Sequence, residues 1–505
     1  MGFTAFCPYY FLLQHPDASG LCAIKVKYEN GPFKYLHNQW KFARDAKGCA
    51  VDFYVDFEFR SFILQKAIGA VFTEAVRMMV NAFLKRARTV CGPPVLNAAL
   101  PVNKESEAEA QLSLIQEQKT GRLVPLEGLR GIAAIIVMLG HMVRGLVPPD
   151  DVKWHGLHQV HRWLLNGGAA VTIFFVLSGF ILSLPFAKDR SRLRVLTALL
   201  KRWPRLAVLT TIACLFSWGL IVLSQDNYTQ AAAVTGNAWM AAHFNSPLQG
   251  QEISWMAALR EGLYRVFLSG DSRFDSPLWT MRIELFGSFA IFLAAPILFA
   301  MKHWPLRLAA IGAVMVGGGA SFPLTYISDF LVGTILAMLF AEDRMPKFSN
   351  LAALAMGVAG IYLFCFSAGE NHFIHAPIKA LLPAGETAHF VWDVSAVLII
   401  LVLLGNPFLR RLFSKNWAIW LGLLSFPIYL LHVPIMLSAG AASIVHAVGP
   451  LGETSAVLLA AAVTMALTLA CALPLAWVDK AWTGALARAA AVLTRRRPAG
   501  VRPAA

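Results

Sequence analysis

Leu126–Gly145, LEGLRGIAAIIVMLGHMVRG, is an apolar run long enough to cross a bilayer, where ~20 residues suffice, yet it carries Arg130, His141 and Arg144. Eleven residues separate Arg130 from His141. At ~100° and ~1.5 Å per residue, the two side chains share one helix face and stand roughly 16 Å apart along its axis. One helix therefore carries a cation near its entrance and an imidazole near mid-membrane. A single such group is ordinarily a snorkelling or paired residue. Other apolar segments of this chain repeat the pattern.

The surrounding composition agrees with a polytopic membrane protein. Of 505 residues, 57% are hydrophobic and 14% charged, and mean hydropathy is +0.57. The net charge of +15 is not a nucleic-acid signature, because most basic residues fall in short loops between apolar spans, where they set orientation. The seven cysteines are scattered, with no C-x-x-C and no cysteine/histidine cluster, so neither a zinc site nor a disulfide framework is expected. No secretory signal opens the chain: Met1–Gly20 lacks a basic n-region, and Pro8, His15, Pro16 and Asp17 interrupt its apolar residues. The amino end is expected in the cytoplasm.

Residues 1–96 read as a small, truncated α+β fragment. In Cys49–Arg60, CAVDFYVDFEFR, apolar residues alternate with mostly polar ones, the pattern of a half-buried antiparallel strand. Leu21–Asn30 and Phe33–Ala43 read as two more strands around the turn signal Asn30-Gly31-Pro32. Phe62, Ile63, Ala67, Ala70 and Val71 then begin an amphipathic helix expected over Ser61–Val90. The wording YENGPFKYLHNQWKF followed by VDFYVDFEFRSFILQKAIGAVF resembles the carboxy-terminal half of the coenzyme Q-binding START-like family, which includes polyketide cyclase and ribosome-association toxin relatives. The resemblance covers Ile24–Pro93 and leaves no counterpart for the strands and helix expected before Leu21. Half a cavity wall would expose apolar residues to water, so ligand binding is not the expected role. Residues 97–122 are polar and read as a linker.

Ten apolar segments follow, near 127–147, 168–187, 203–224, 279–300, 306–320, 324–341, 349–367, 388–405, 417–439 and 454–478, giving a mainly α bundle of about ten transmembrane helices over 123–480. Lys188, Arg190, Arg192 and Arg194, then Arg410, Arg411 and Lys415, then Arg495, Arg496 and Arg497 fall in one set of loops and tail. The opposite set is sparser, holding Lys153, Arg162, Arg260, Arg265, Arg273 and Lys379. The first set is therefore expected on the cytoplasmic side, with both termini, and 481–505 as a basic tail. The long outer connection, Gln225–Leu278, carries Trp239 and Trp255 and leads to Trp279. Such aromatics are either interface residues or the lining of an acceptor groove.

Polar residues recur inside these segments. The second span places Thr172 and Ser178 in an otherwise apolar helix, where hydroxyls often bond only their own backbone. LLKRWPRLAV sets Arg202 and Arg205 three residues apart at the head of the third span. Two fixed guanidinium forks suit a phosphorylated ligand. SPLWTMRIELFGSF places Glu284 near the outer end of the fourth span, where it is expected to bond an arginine or histidine of a neighbouring helix. In LGLLSFPIYLLHVPIML, Ser425, Tyr429 and His432 fall at i, i+4 and i+7 and form one polar stripe. Asp329 and Asp393 read as interface-level polar residues.

Taken in order, LEGLRGIAAIIVMLGH, GGAAVTIFFVLSGFILS, KRWPRL, SPLWTMRIELFG and LSFPIYLLHVP resemble the membrane-bound acyltransferase family 3, over Leu123–Val478. Its members O-acylate surface polysaccharides, lipopolysaccharide, peptidoglycan or small molecules. The resemblance implies an integral membrane protein of the bacterial inner membrane, acetyl-CoA or another acyl-CoA as donor, a carbohydrate or lipid-linked glycan as acceptor, and neither metal nor nucleic acid. It carries the family's arginine and histidine onto Arg130 and His141, its arginine pair onto Arg202 and Arg205, and its tryptophan-to-glutamate motif onto Trp279 and Glu284. Thr172 departs from the aspartate of many bacterial members. Where some members carry an esterase-like domain after the membrane part, a short basic tail is expected here.

Acyl transfer needs a base for the acceptor hydroxyl and positive charge or donors for the oxyanion. His141 is the expected base. Arg130, Arg202 and Arg205 are expected to meet the donor's phosphates from the cytoplasm, and Trp279 and Glu284 the acceptor from outside. Ser178, Tyr429 and His432 are further candidates. The rival reading is a transporter or flippase of an acylated lipid or glycan, since charged groups inside a bundle also mark transport paths.

Overall fold

The structure is a computed structural model. It describes strands between residues 9 and 59 and then residues 123–149, 151–224, 227–242, 253–318, 324–367, 376–377 and 387–494. Two compact units divide the chain, Met1–Val102 and Asn103–Ala505.

The first unit contains an antiparallel meander of β1 (Tyr9–Gln14), β2 (Cys22–Tyr28), β3 (Phe33–Asp45) and β4 (Gly48–Phe59), hydrogen-bonded in that order. The expected three strands are present. A fourth precedes Leu21, where none was expected: Pro8 and His15 do not interrupt YYFLLQ but bound it, so the run is free to pair with β2 from Tyr9↔Tyr28 to Gln14↔Ala23. The helix expected over 61–90 and the linker at 97–122 lie outside the described residues.

The second unit is helical. Its helices are α1 (Val124–Leu146), α2 (His155–Leu164), α3 (Gly167–Ser183), α4 (Arg192–Ser224), α5 (Asn227–Thr235), α6 (Trp255–Arg260), α7 (Trp279–Ala300) and α8 (Trp304–Gly318). After these come α9 (Leu324–Ala341), α10 (Asn350–Phe364), α11 (Thr387–Gly405), α12 (Pro407–Phe413), α13 (Asn416–Ile435), α14 (Ala441–Leu451) and α15 (Glu453–Thr494). Each of the ten apolar segments is helical. Seven helical stretches among the described residues are long and apolar enough to cross a membrane, while Tyr326–Ala341 and Asn350–Phe364 are shorter apolar helices. Leu293, Ile297, Leu354, Val358, Leu458 and Trp477 stand exposed, as lipid-facing side chains do.

Two helices start or end elsewhere than the apolar pattern implies. α4 begins at Arg192, so Arg202 and Arg205 stand ten and thirteen residues into it rather than at its head. α15 continues through the expected tail to Thr494, because ALARAAAVLT contains strong helix formers and no breaker. Trp482 on this extension donates from Nε1 to the Pro204 carbonyl at 2.8 Å.

Small residues set the tightest crossings. A Cβ on Gly131 would run into the backbone of Leu421, and one on Gly422 into the backbone of Glu127. α1 and α13 thus meet backbone to backbone, which explains the glycines of LEGLRG and LGLLSFP. Gly179 and Gly333 do the same for α3 and α9, each lying against the other helix's main chain at Phe330 and Val176. Asn166 caps α3 through Ala169 N at 3.1 Å and donates to the Phe364 and Phe366 carbonyls, tying α3 to the end of α10.

The α1–α13 contact gives a stability test. Gly422→Val overpacks it and lowers stability by about 1–3 kcal/mol. Gly219→Ala, in α4 with open space around its Cβ position, leaves stability unchanged or raises it by up to about 1 kcal/mol. Thermal unfolding in one detergent checks both, and equal losses at the two positions would refute this packing.

Candidate functional site

Six helices converge on one cavity of about 130 Å³. α1 contributes Arg130, α3 Ser178, α4 Arg202 and Arg205, α7 Thr280 and Glu284, α13 Ser425 and Tyr429, and α15 Asp479. The three guanidiniums are partly withdrawn from water, Arg202 most of all, and each meets a carboxylate. Arg130 Nη2 lies 2.9 Å from Glu127 Oε2, one turn back on α1. Its Nε donates to Ser425 Oγ at 3.0 Å, and Nη2 also reaches the Gly422 carbonyl at 3.2 Å.

Arg202 is paired with Glu284, and its Nε donates to Ser288 Oγ at 2.7 Å. Ser178 Oγ donates to the same Glu284 oxygen at 2.8 Å. The hydroxyl therefore bonds across helices instead of to its own backbone. Arg205 pairs with Asp479. Pro204, between the two arginines, lacks the N–H that would bond the residue 200 carbonyl. Tyr429 OH donates to the Pro277 carbonyl at 3.0 Å and meets Thr280 Oγ1 at 3.0 Å, fixing the start of α7 against α13.

The two histidines meet beyond Tyr429, whose ring centroid is 6.1 Å from that of His432. His141 Nδ1 lies 2.9 Å from His432 Nε2, and His432 Nδ1 lies 2.9 Å from the Ile428 carbonyl. Trp239 from the long connection stacks on His141, with centroids 6.0 Å apart and planes at 23°. Asn237 holds that segment in place by donating to the Arg144 and Val147 carbonyls at 2.9 and 3.2 Å.

Arg130, Arg202, Arg205, Ser178, Glu284 and Tyr429 thus share one cavity, and His141 and His432 form a pair next to it. Glu284 bonds an arginine of a neighbouring helix, as expected: it pairs with Arg202 of α4 inside the cavity. Trp279 stays outside, packed on Tyr326 with centroids 5.6 Å apart. Asp329 and Asp393 are buried rather than interface-exposed, on α9 and α11. Asp479 and Thr280 were not foreseen. A lone carboxylate immediately after the apolar run ending at Val478 was the available signal for Asp479.

The approach to α7 carries a second electrostatic feature. Asp275 is fully buried, and neither carboxylate oxygen meets a donor among the described residues. Burial pushes its carboxyl well above the usual range, and Glu261 adds to the rise. Burial also raises Glu261, although the backbone N–H groups of Phe274 and Arg273 oppose it.

Comparison with known proteins adds two independent matches. Residues 124–477 match the family described as "Acyltransferase domain", and residues 11–84 match "Polyketide cyclase / dehydrase and lipid transport". The chain is 25% identical over 380 residues to the O-acetyltransferase PaAT-1 of Phomopsis amygdali, covering 64% of this chain and 73% of that protein. Its amino-terminal segment is 39% identical over 72 residues to the ribosome association toxin RatA of Rickettsia prowazekii, covering 14% of this chain and 49% of the toxin. It is likewise 41% identical over 71 residues to the persistence and stress-resistance toxin PasT of Escherichia coli O6:H1, covering 14% of this chain and 44% of that protein. The chain therefore spans about half the length of these toxins. No solved structure matches it.

Two outcomes test the electrostatics. The folded-state pKa of Asp275 lies above its unfolded value, so its contribution is fully present below ~4 and is lost as pH rises through the folded value. Asp275→Asn therefore melts above wild type at pH 8, and the gap closes toward pH 4.5; a gap independent of pH would contradict the assignment. Glu284→Ala strands buried Arg202 and costs about 3 kcal/mol, part of which Arg202→Met returns in the double variant. Additive losses in that cycle would show that the pair does not interact.

Proposed function

Because the chain belongs to the acyltransferase family whose domain matches residues 124–477, we propose that it transfers an acyl group, acetyl in the simplest case, from an acyl-CoA to a hydroxyl of a cell-surface carbohydrate or lipid-linked glycan. The observation that carries this reading is the placement of three guanidiniums in one cavity between helices, beside a histidine pair. The similarity to an O-acetyltransferase favours oxygen as the acceptor atom and acetyl as the group.

In this reading the donor enters from the cytoplasm, on the side of the basic loops around Lys188–Arg194 and Arg410–Lys415. A cavity of about 130 Å³ is well below the ~300–1,000 Å³ of a typical small-molecule pocket. Only the acyl-thioester end of the donor fits inside, so the nucleotide stays at the mouth. Arg205 and Arg202 present fixed N–H donors toward the anionic part, while Glu284 and Asp479 hold both forks in orientation. His141 takes the acceptor's hydroxyl proton, and the oxygen attacks the thioester carbonyl. Trp239, over His141, suits the acceptor's approach through the long connection.

The amino-terminal unit has no part in this chemistry. Deleting Met1–Lys104 leaves turnover within about twofold of the full chain. The decisive measurement is release of free CoA thiol by the purified full chain in lipid nanodiscs, with transfer to surface glycans followed by mass spectrometry. His141→Ala abolishes release without loss of membrane insertion; wild-type activity in that variant rules out the base. Arg205→Met raises KM for acyl-CoA about tenfold, or ~1.4 kcal/mol, with a smaller change in kcat. A purified protein that consumes no thioester would favour the transport reading instead.

A further inference from the structure

We propose that His432 is the positioning residue that decides which nitrogen of His141 acts as the base, and that this atom is Nε2. The inference rests on the acyltransferase reading and adds the base's tautomer and its cause. A backbone carbonyl only accepts hydrogen bonds. The 2.9 Å contact to the Ile428 carbonyl therefore fixes the proton of His432 on Nδ1. A neutral imidazole has one N–H, so His432 Nε2 is an acceptor. The 2.9 Å contact between that atom and His141 Nδ1 then requires the proton of His141 to sit on Nδ1. The lone pair of His141 is left on Nε2.

Burial supports the neutral state of the pair's inner member. His432 is 1% exposed, one turn from Tyr429, and a cation there would lose its hydration in an apolar helix contact. The ring of His141 is held from both sides, by His432 at 5.0 Å between centroids and by Trp239 at 6.0 Å. A ring flip that puts Cδ2 in the place of Nδ1 breaks the histidine contact and leaves a buried acceptor unpaired.

The chemistry balances without another reactant. The acceptor's O–H bond breaks as His141 Nε2 gains the proton, and the oxygen forms a bond to the thioester carbonyl carbon. The C–S bond then breaks, and the proton passes from Nε2 to the leaving sulfur. Throughout, His141 Nδ1–H donates to His432 Nε2, so the transient imidazolium keeps its orientation. His432 touches neither substrate and passes no proton on, since its own N–H ends on a carbonyl.

Nitrogen-15 NMR of histidine-labelled full chain in lipid tests this directly, with His141 signals identified by their loss in His141→Ala. Nδ1–H is expected for His141, and Nε2–H would overturn the proposal. Kinetics of thiol release give the second reading. His432→Leu, similar in bulk but without an acceptor, lowers kcat by about 10²-fold while KM for acyl-CoA changes by less than about twofold. His432→Gln, whose Oε1 accepts from His141 Nδ1–H, recovers at least about a tenth of wild-type kcat. Equal activity of the Leu and Gln variants would show a role in packing alone. If His141→Ala is inactive while His432→Leu equals wild type, only this inference falls; if His141→Ala is fully active, the base assignment beneath it falls as well.

Discussion

The three arginines of the cavity each lean on a partner from another helix. A guanidinium removed from water and left alone would cost several kcal/mol, so its location dictates which helices touch. Arg202 fastens α4 to Glu284 of α7, Arg205 fastens α4 to Asp479 of α15, and Arg130 bridges from α1 to Ser425 and the Gly422 carbonyl of α13. Ser178 joins α3 to the same carboxylate that Arg202 uses. The cavity is the point at which these obligations meet.

This arrangement constrains the chemistry as well as the packing. A guanidinium already oriented by a carboxylate presents its remaining N–H groups without loss of side-chain entropy, which favours recognition of a planar or tetrahedral anion. The imidazole pair sits past Tyr429, where a single backbone carbonyl orders it. Arg130, His141 and His432 are thus held on the same two helices, α1 and α13. Their backbone contact at Gly131 and Gly422 makes that spacing rigid.

The amino-terminal meander is a separate matter. Its match to lipid-transport and toxin relatives covers about half the length of the toxins, and its strands β1–β4 pair in simple sequential order.

The helices and most of the candidate residues were legible without coordinates, because both follow from local chemistry. Apolar runs of bilayer length must be helical to satisfy their backbone groups, and an arginine or histidine inside one is conspicuous. Alternation in Cys49–Arg60 marked a strand for the same local reason. Pairings were not legible, since hydropathy states that Glu284 needs a cation but not which helix supplies it. The fold brought Glu284 to Arg202, added Asp479 and left Trp279 out. It also set His141 and His432, 291 positions apart in the chain, at hydrogen-bond distance. Long-range contacts of that kind depend on helix crossings fixed by small residues and buried charge, which no single segment encodes.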